Sequence, residues 1–110
     1  MKVELPQGGY QGLAGDGVVE FWGVPFALPP VGELRFKAPR PLPDSDRSVN
    51  ADRYPLPSLQ VKNPLMGVED SGEDCLYLNI WVPEGEGPFP VMLWYHGGGY
   101  IAGSVSQPPY

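Results

Sequence analysis

Residues 75–99 read CLYLNIWVPEGEGPFPVMLWYHGGG, and the fold turns on how this stretch is read. Cys75 to Val82 has the length and composition of a strand. Cys75, Tyr77, Asn79 and Trp81 fall on one face, and Leu76, Leu78, Ile80 and Val82 on the other. Pro83 ends the run, and residues 84–88 (EGEGP) form an exposed turn. Val91 to Tyr95 is apolar at every position. Such a run marks a strand covered on both faces, inside a parallel or mixed sheet. Pro90 and Gly97 bound it too closely for a helix. Two strands of this kind need cover, and the chain carries no amphipathic helix to provide it. The cover must come from another chain, or from a missing C-terminal part of a larger body.

Upstream, Val18 to Phe26 (VVEFWGVPF) reads as a short strand interrupted by Gly23 and Pro25. Residues 1–17 are Gly-rich and turn-like, and Pro29-Pro30-Val31-Gly32 is a rigid turn. Residues 38–65 are Pro-rich and read as surface loop, with one helical turn near Ser45 to Ala51. An acidic patch, Glu69-Asp70-Ser71-Gly72-Glu73-Asp74, precedes the decisive stretch. The 110 residues hold 15 Gly and 15 Pro, and the longest segment free of both, Asp44 to Tyr54, is polar. A helical bundle or coiled coil is excluded by that punctuation. Hydrophobic residues make up 42% of the chain and aromatics 12%, which argues for packing rather than disorder.

The net charge is −6, and the Lys and Arg residues are scattered. Nucleic acid is therefore excluded as a partner, since binding it needs a basic stripe. No apolar run reaches the roughly 20 residues of a membrane span. Met1 is followed by no apolar signal region, and Cys75 is the single cysteine. Both features favour a reducing, cytoplasmic compartment. One His and one Cys cannot build a structural zinc site, so no metal and no cofactor is expected.

His96-Gly97-Gly98-Gly99-Tyr100 follows the apolar run directly. Each glycine costs roughly 0.5–1 kcal/mol relative to Ala in chain entropy, so something should require three in a row. A loop without Cβ atoms lets a ligand approach the main chain, and lets successive N–H groups converge on one spot. Such donors can stabilise the oxyanion of a tetrahedral intermediate. An isolated triplet reads more simply as a flexible turn. Its place at the end of a buried strand favours the oxyanion reading. For His96 the simpler reading holds, namely a ring that fixes the loop by hydrogen bonds, because no nucleophile neighbours it.

These residues resemble a known family. Glu73-Asp74-Cys75-Leu76-Tyr77-Leu78-Asn79-Ile80-Trp81-Val82-Pro83 is similar to the N-terminal signature of type-B carboxylesterases. Residues 21–27 (FWGVPFA), with residues 29–36 (PPVGELRF), resemble the segment before it, and residues 12–15 (GLAG) the opening turn. Residues 96–100 with Gly103-Ser104 resemble the oxyanion loop. The resemblance implies that residues 1–110 are the N-terminal segment of an α/β-hydrolase domain, ending just after that loop. This segment would be mostly β-strands and loops, with an incomplete sheet. It implies hydrolysis of a small carboxylic ester through an acyl-enzyme. Gly98 and Gly99 would offer N–H groups to the carbonyl oxygen, and Gly97 would shape the turn. Asp74, Asn79 and Arg35 would pin the N-terminal segment to the sheet.

The likeness stops short of a complete site. The family's catalytic order is Ser, then Glu or Asp, then His, all beyond the glycine loop. No Ser here lies in a G-x-S-x-G elbow. The chain alone is therefore expected to be inactive. Ser58-Leu59-Gln60 stands where many members carry Cys-x-Gln, so Cys75 is expected to be a free buried thiol. No Trp follows the Arg35-Phe36 segment within residues 40–50, so that loop is expected to pack differently. A rival reading is a non-catalytic binding or adhesion relative of the same family. Weaker rivals are a polyproline ligand at residues 40–43 (RPLP) and phosphate binding by the triplet, which lacks a neighbouring Lys.

Overall fold

The glycines of the first 17 residues do not keep them from forming strands. In a computed structural model, which describes residues 1–64 and 68–106, three strands occupy that region. β1 (Lys2–Leu5) pairs antiparallel with β2 (Gly8–Gln11), Val3 lying opposite Tyr10. β3 (Leu13–Ala14) pairs antiparallel with β4 (Val18–Pro25). A short 3₁₀ turn spans Gly32–Leu34, just past the expected Pro-Pro turn. β5 (Ser48–Asn50) lies parallel to β2, and β6 (Tyr77–Pro83) antiparallel to β4. Two three-stranded sheets result, in the orders β1-β2-β5 and β3-β4-β6.

β5 replaces the expected helical turn near Ser45 to Ala51. The reason lies 40 residues away in the chain: the Gly9 N–H donates to Arg47 O at 2.7 Å and the Ala51 N–H to Gln11 O at 2.9 Å. A parallel pairing leaves no mark in a three-residue sequence window. Ala51 also accepts from the Trp22 N–H at 2.9 Å, so its peptide links β2 to β4. At 2% exposure it sits in the middle of the core. Tyr10, Val19, Phe21 and Val24 are buried with it, and Val3, Leu78 and Val82 pack against them. Val82 lies opposite Val19 and Leu78 opposite Val24, and both pack on the core, while Ile80 between them on the same face is exposed.

Phe21 pairs with Ile80 while Val24 pairs with Leu78, so β4 spends three residues where β6 spends two. This is a β-bulge. It explains the glycine inside VVEFWGVP. Gly23 has φ +71°, and a Cβ there would lie 2.6 Å from Arg53 O. Its N–H has left the ladder and donates to Asn79 Oδ1 at 2.9 Å. Trp22, beside the bulge, stacks on Tyr54 with centroids 4.4 Å apart.

The second expected strand does not form. Val91 to Tyr95 belongs to neither sheet and is exposed, from 58% at Trp94 to 92% at Val91. The physical reason is the one its composition states. A strand apolar on both faces needs neighbours on both edges and cover on both sides. β6, the strand nearest in sequence, lies at the edge of its sheet, and residues 91–95 do not pair with its open side.

Candidate functional site

Residues 96–103 close on themselves. The Ile101 and Ala102 N–H groups both donate to Gly98 O, at 3.1 and 3.2 Å. The tightness explains the glycines. Gly98 has φ +124°, and a Cβ there would lie 1.7 Å from Ala102 O, closer than any side chain tolerates. Gly99 differs: its φ is +60°, but nothing stands within 4 Å of a Cβ. Tyr100, a non-glycine at φ +64°, completes the turn with its side chain exposed.

Neither the Gly98 nor the Gly99 N–H has an acceptor among the described residues. Gly97 and Gly99 line an open groove of 580 Å³, together with Tyr95, His96, Leu59 and Gln60. Gly98 sits behind them, against the turn it closes. The three glycines singled out in the sequence are thus adjacent in space, two on the groove wall and one supporting them.

His96 fixes the loop. Its Nδ1–H donates to Gly97 O at 2.7 Å, which sets the tautomer. Ser104 is buried, with its Oγ 3.0 Å from Ser106 Oγ and accepting from the Ser106 N–H at 3.0 Å. No cluster of three or more His, Cys, Asp or Glu suited to a metal ion exists among the described residues.

Of the three residues expected to pin the N-terminal segment, Arg35 and Asn79 make contacts that reach it, and Asp74 bonds only to Tyr77, three residues on. Arg35 pairs with Glu73, Asn79 holds the bulge, and Asp74 accepts from the Tyr77 hydroxyl at 2.9 Å. Burial, the Asp74 hydrogen bond and nearby negative charge push the Tyr77 phenol up to about 12. Cys75 is free and half-buried. It lines a small pocket of 100 Å³ with Ser58 and His96. Burial pushes its thiol up, and the Asp74 and Glu73 carboxylates add to the effect. A thiol kept protonated in this way is a poor nucleophile.

Gln60 is the loop residue that sequence reasoning missed. Its Nε2 donates to Gly103 O and its Oε1 accepts from the Gly103 N–H, both at 2.9 Å. The two groups are 43 residues apart, and no local pattern marks such a pair.

The sequence is similar to a set of ester hydrolases. A family model described as the carboxylesterase family matches residues 2–110. The fumonisin B1 esterase of Sphingopyxis macrogoltabida is 41% identical over 94% of this chain and 20% of its own length. The acetylcholinesterase of Gallus gallus is 39% identical over 90% of this chain and 14% of its own. The para-nitrobenzyl esterase of Bacillus subtilis is 37% identical over 98% and 23%. The solved structure of a thermophilic PNB esterase superposes with a TM-score of 0.88 at 34% identity, covering 97% of this chain and 23% of that one. The chain thus spans about a fifth of the length of the proteins it matches.

Proposed function

The chain belongs to the carboxylesterase family and covers a part of its α/β-hydrolase fold; from that premise we propose that it is the N-terminal part and supplies the oxyanion-binding loop of a serine carboxylesterase. In this reading the nucleophilic serine and its acid and base partners lie outside these residues. The serine hydroxyl attacks the ester carbonyl, the carbonyl oxygen becomes an oxyanion, and the Gly98 and Gly99 N–H groups hydrogen-bond to it. The alcohol then leaves, and water releases the acid from the acyl-enzyme. Each such donor contributes about 2.7–4 kcal/mol to lowering the barrier. Gly97 and His96 keep the loop in shape.

The observation that carries this reading is the pair of adjacent amides without an acceptor among the described residues, that of Gly99 on the groove wall and that of Gly98 next to it. Gly98 is half-buried and Gly99 exposed, so both N–H groups are open to an incoming group, and two in succession fit a ligand oxygen. The test grafts this chain onto the para-nitrobenzyl esterase of Bacillus subtilis in place of the matched N-terminal segment. Gly98→Ala in that chimera keeps its N–H but drives a Cβ into Ala102 O, which forces that amide out of position, and is expected to lower kcat by about 10²–10³, the value of one misplaced donor. Gly99→Ala has open space and retains its N–H, so the expected loss is about tenfold or less, from backbone strain alone. Full kcat in the Gly98 variant overturns the reading. The 110-residue chain by itself is expected to hydrolyse an aryl acetate at the buffer rate, and burst kinetics from it would also overturn the reading.

A further inference from the structure

We propose that Gln60 is a positioning residue that sets the Gly98 and Gly99 amides through its paired hydrogen bonds to Gly103; this rests on the oxyanion reading above. Among the described residues, these two bonds are the only ones that tie residues 96–103 to another part of the chain. The other hydrogen bonds of the loop among the described residues are internal, from Ile101 and Ala102 to Gly98 O and from His96 to Gly97 O. Gly103 is buried, and a Cβ there would lie 2.4 Å from Gly97 O and 2.5 Å from His96 Nδ1. Gly97 and Gly103 are therefore in close contact across the base of the loop. Whatever fixes the peptide at Gly103 fixes the triplet across from it.

The primary amide of Gln60 suits that task. It offers one donor and one acceptor in a plane, matching the carbonyl and N–H of a single residue. Gln60 is itself held by its main chain. Its N–H donates to Ser71 Oγ at 3.4 Å, and Ser71 Oγ donates to Gln60 O at 3.3 Å. Ser71 is fixed in turn by its N–H to Asp70 Oδ1 at 2.9 Å. The acidic patch before β6 thus reaches the glycine loop through Ser71 and Gln60.

The experiment uses the 110-residue chain, labelled with ¹⁵N, and reads amide exchange and chemical shift with no substrate present. Gln60→Ala is expected to speed exchange at Gly103 roughly tenfold, the weight of one net hydrogen bond, and to shift the Gly98 and Gly99 signals. Phe21 and Val24 in β4 should keep their wild-type exchange. Gln60→Glu supplies the sharper readout. Its carboxylate accepts from the Gly103 N–H but sets a second oxygen against Gly103 O. Protonation restores a donor in the same place. The Gly98, Gly99 and Gly103 signals of this variant should return to wild-type positions as pH falls through the carboxyl range, near 4.3 or somewhat above. Unchanged Gly98 and Gly99 signals in both variants overturn the proposal. So does a change confined to Gly103, or loss of the β4 signals together with the loop's, which would make Gln60 a general folding residue. Failure of the oxyanion reading itself would appear only in the chimera's kcat, so the two are separable.

Discussion

β6 and the segment from Val91 to Tyr95 have nearly the same composition and opposite fates. β6 carries Leu78, Ile80 and Val82 on one face, pairs with β4 along its length, and packs Leu78 and Val82 on the core. Val91 to Tyr95 is the more apolar of the two, yet it is in no sheet and its side chains are exposed. The difference lies in what each can find. β6 needs one neighbour and one covered face, and β4 with Tyr10 and Ala51 supplies both. The second segment needs twice as much. An apolar run states a demand for burial, and the rest of the fold decides whether it is met. Large exposed apolar strips on a protein surface mark contact sites or aggregation hazards.

The strongest way to break that comparison is a matched pair of truncations. Phe21→Ala removes a buried ring from the β4–β6 face and is expected to cost about 3–5 kcal/mol. Leu93→Ala removes a side chain that touches mostly solvent and should change stability by no more than about 0.5 kcal/mol. Denaturant unfolding followed by Trp fluorescence measures both. A Leu93→Ala cost comparable with that of Phe21→Ala would mean that the strip is buried in solution, and the contrast would fall. In the chimera that tests the oxyanion reading, the same Leu93→Ala change is expected to become costly, about 2–5 kcal/mol, if later strands cover it.

What was legible in the sequence follows the same division. Val18 to Pro25 and Tyr77 to Pro83 were legible because alternation and β-branched or aromatic residues report a half-buried face directly. The glycine loop was legible because three residues without Cβ atoms are costly unless geometry needs them, and at Gly98 it does. β5 and the Gln60–Gly103 pair were not legible, because each depends on a partner about 40 residues away. Strands β1 to β3 were hidden by the glycines in β2 and between the strands, which here permit close approach, as at Gly12 against Phe21. Val91 to Tyr95 was read correctly as a residue pattern and wrongly as a formed strand, since its partners are not among the described residues.

A smaller effect sharpens the account of why β6 pairs where it does. Asn79 Oδ1 is the acceptor for the Gly23 N–H that the bulge removes from the ladder. Asn79→Ala leaves that donor without a partner and is expected to cost about 1–3 kcal/mol. The loss should be less than at Phe21, because packing on the Val19–Val82 side survives. Gly23 amide exchange should rise in the variant while Val19 and Val82 hold. If Val19 and Val82 exchange freely as well, the bulge is what aligns β4 with β6, and burial alone does not explain their pairing.

The smallest effect concerns the end of β6 and appears only in alkali. The Tyr77 phenol keeps its proton to about 12, first because it is buried and then because Asp74 accepts its hydrogen bond and adds negative charge. An unfolded tyrosine releases its proton near 10. Between roughly pH 10 and 12 the folded chain therefore binds more protons than the unfolded one, and stability falls as pH rises through that window. Below pH 10 this contribution is present in full. Because Tyr77 is only half-buried, the fall should be shallow. Tyrosinate absorbance against pH should include a late step near 12, and Tyr77→Phe should remove that step and flatten the alkaline loss. A titration with no late step would mean that the start of β6 has left β4 before the phenol ionises, so that this strand too is held only where Leu78 and Val82 meet the core.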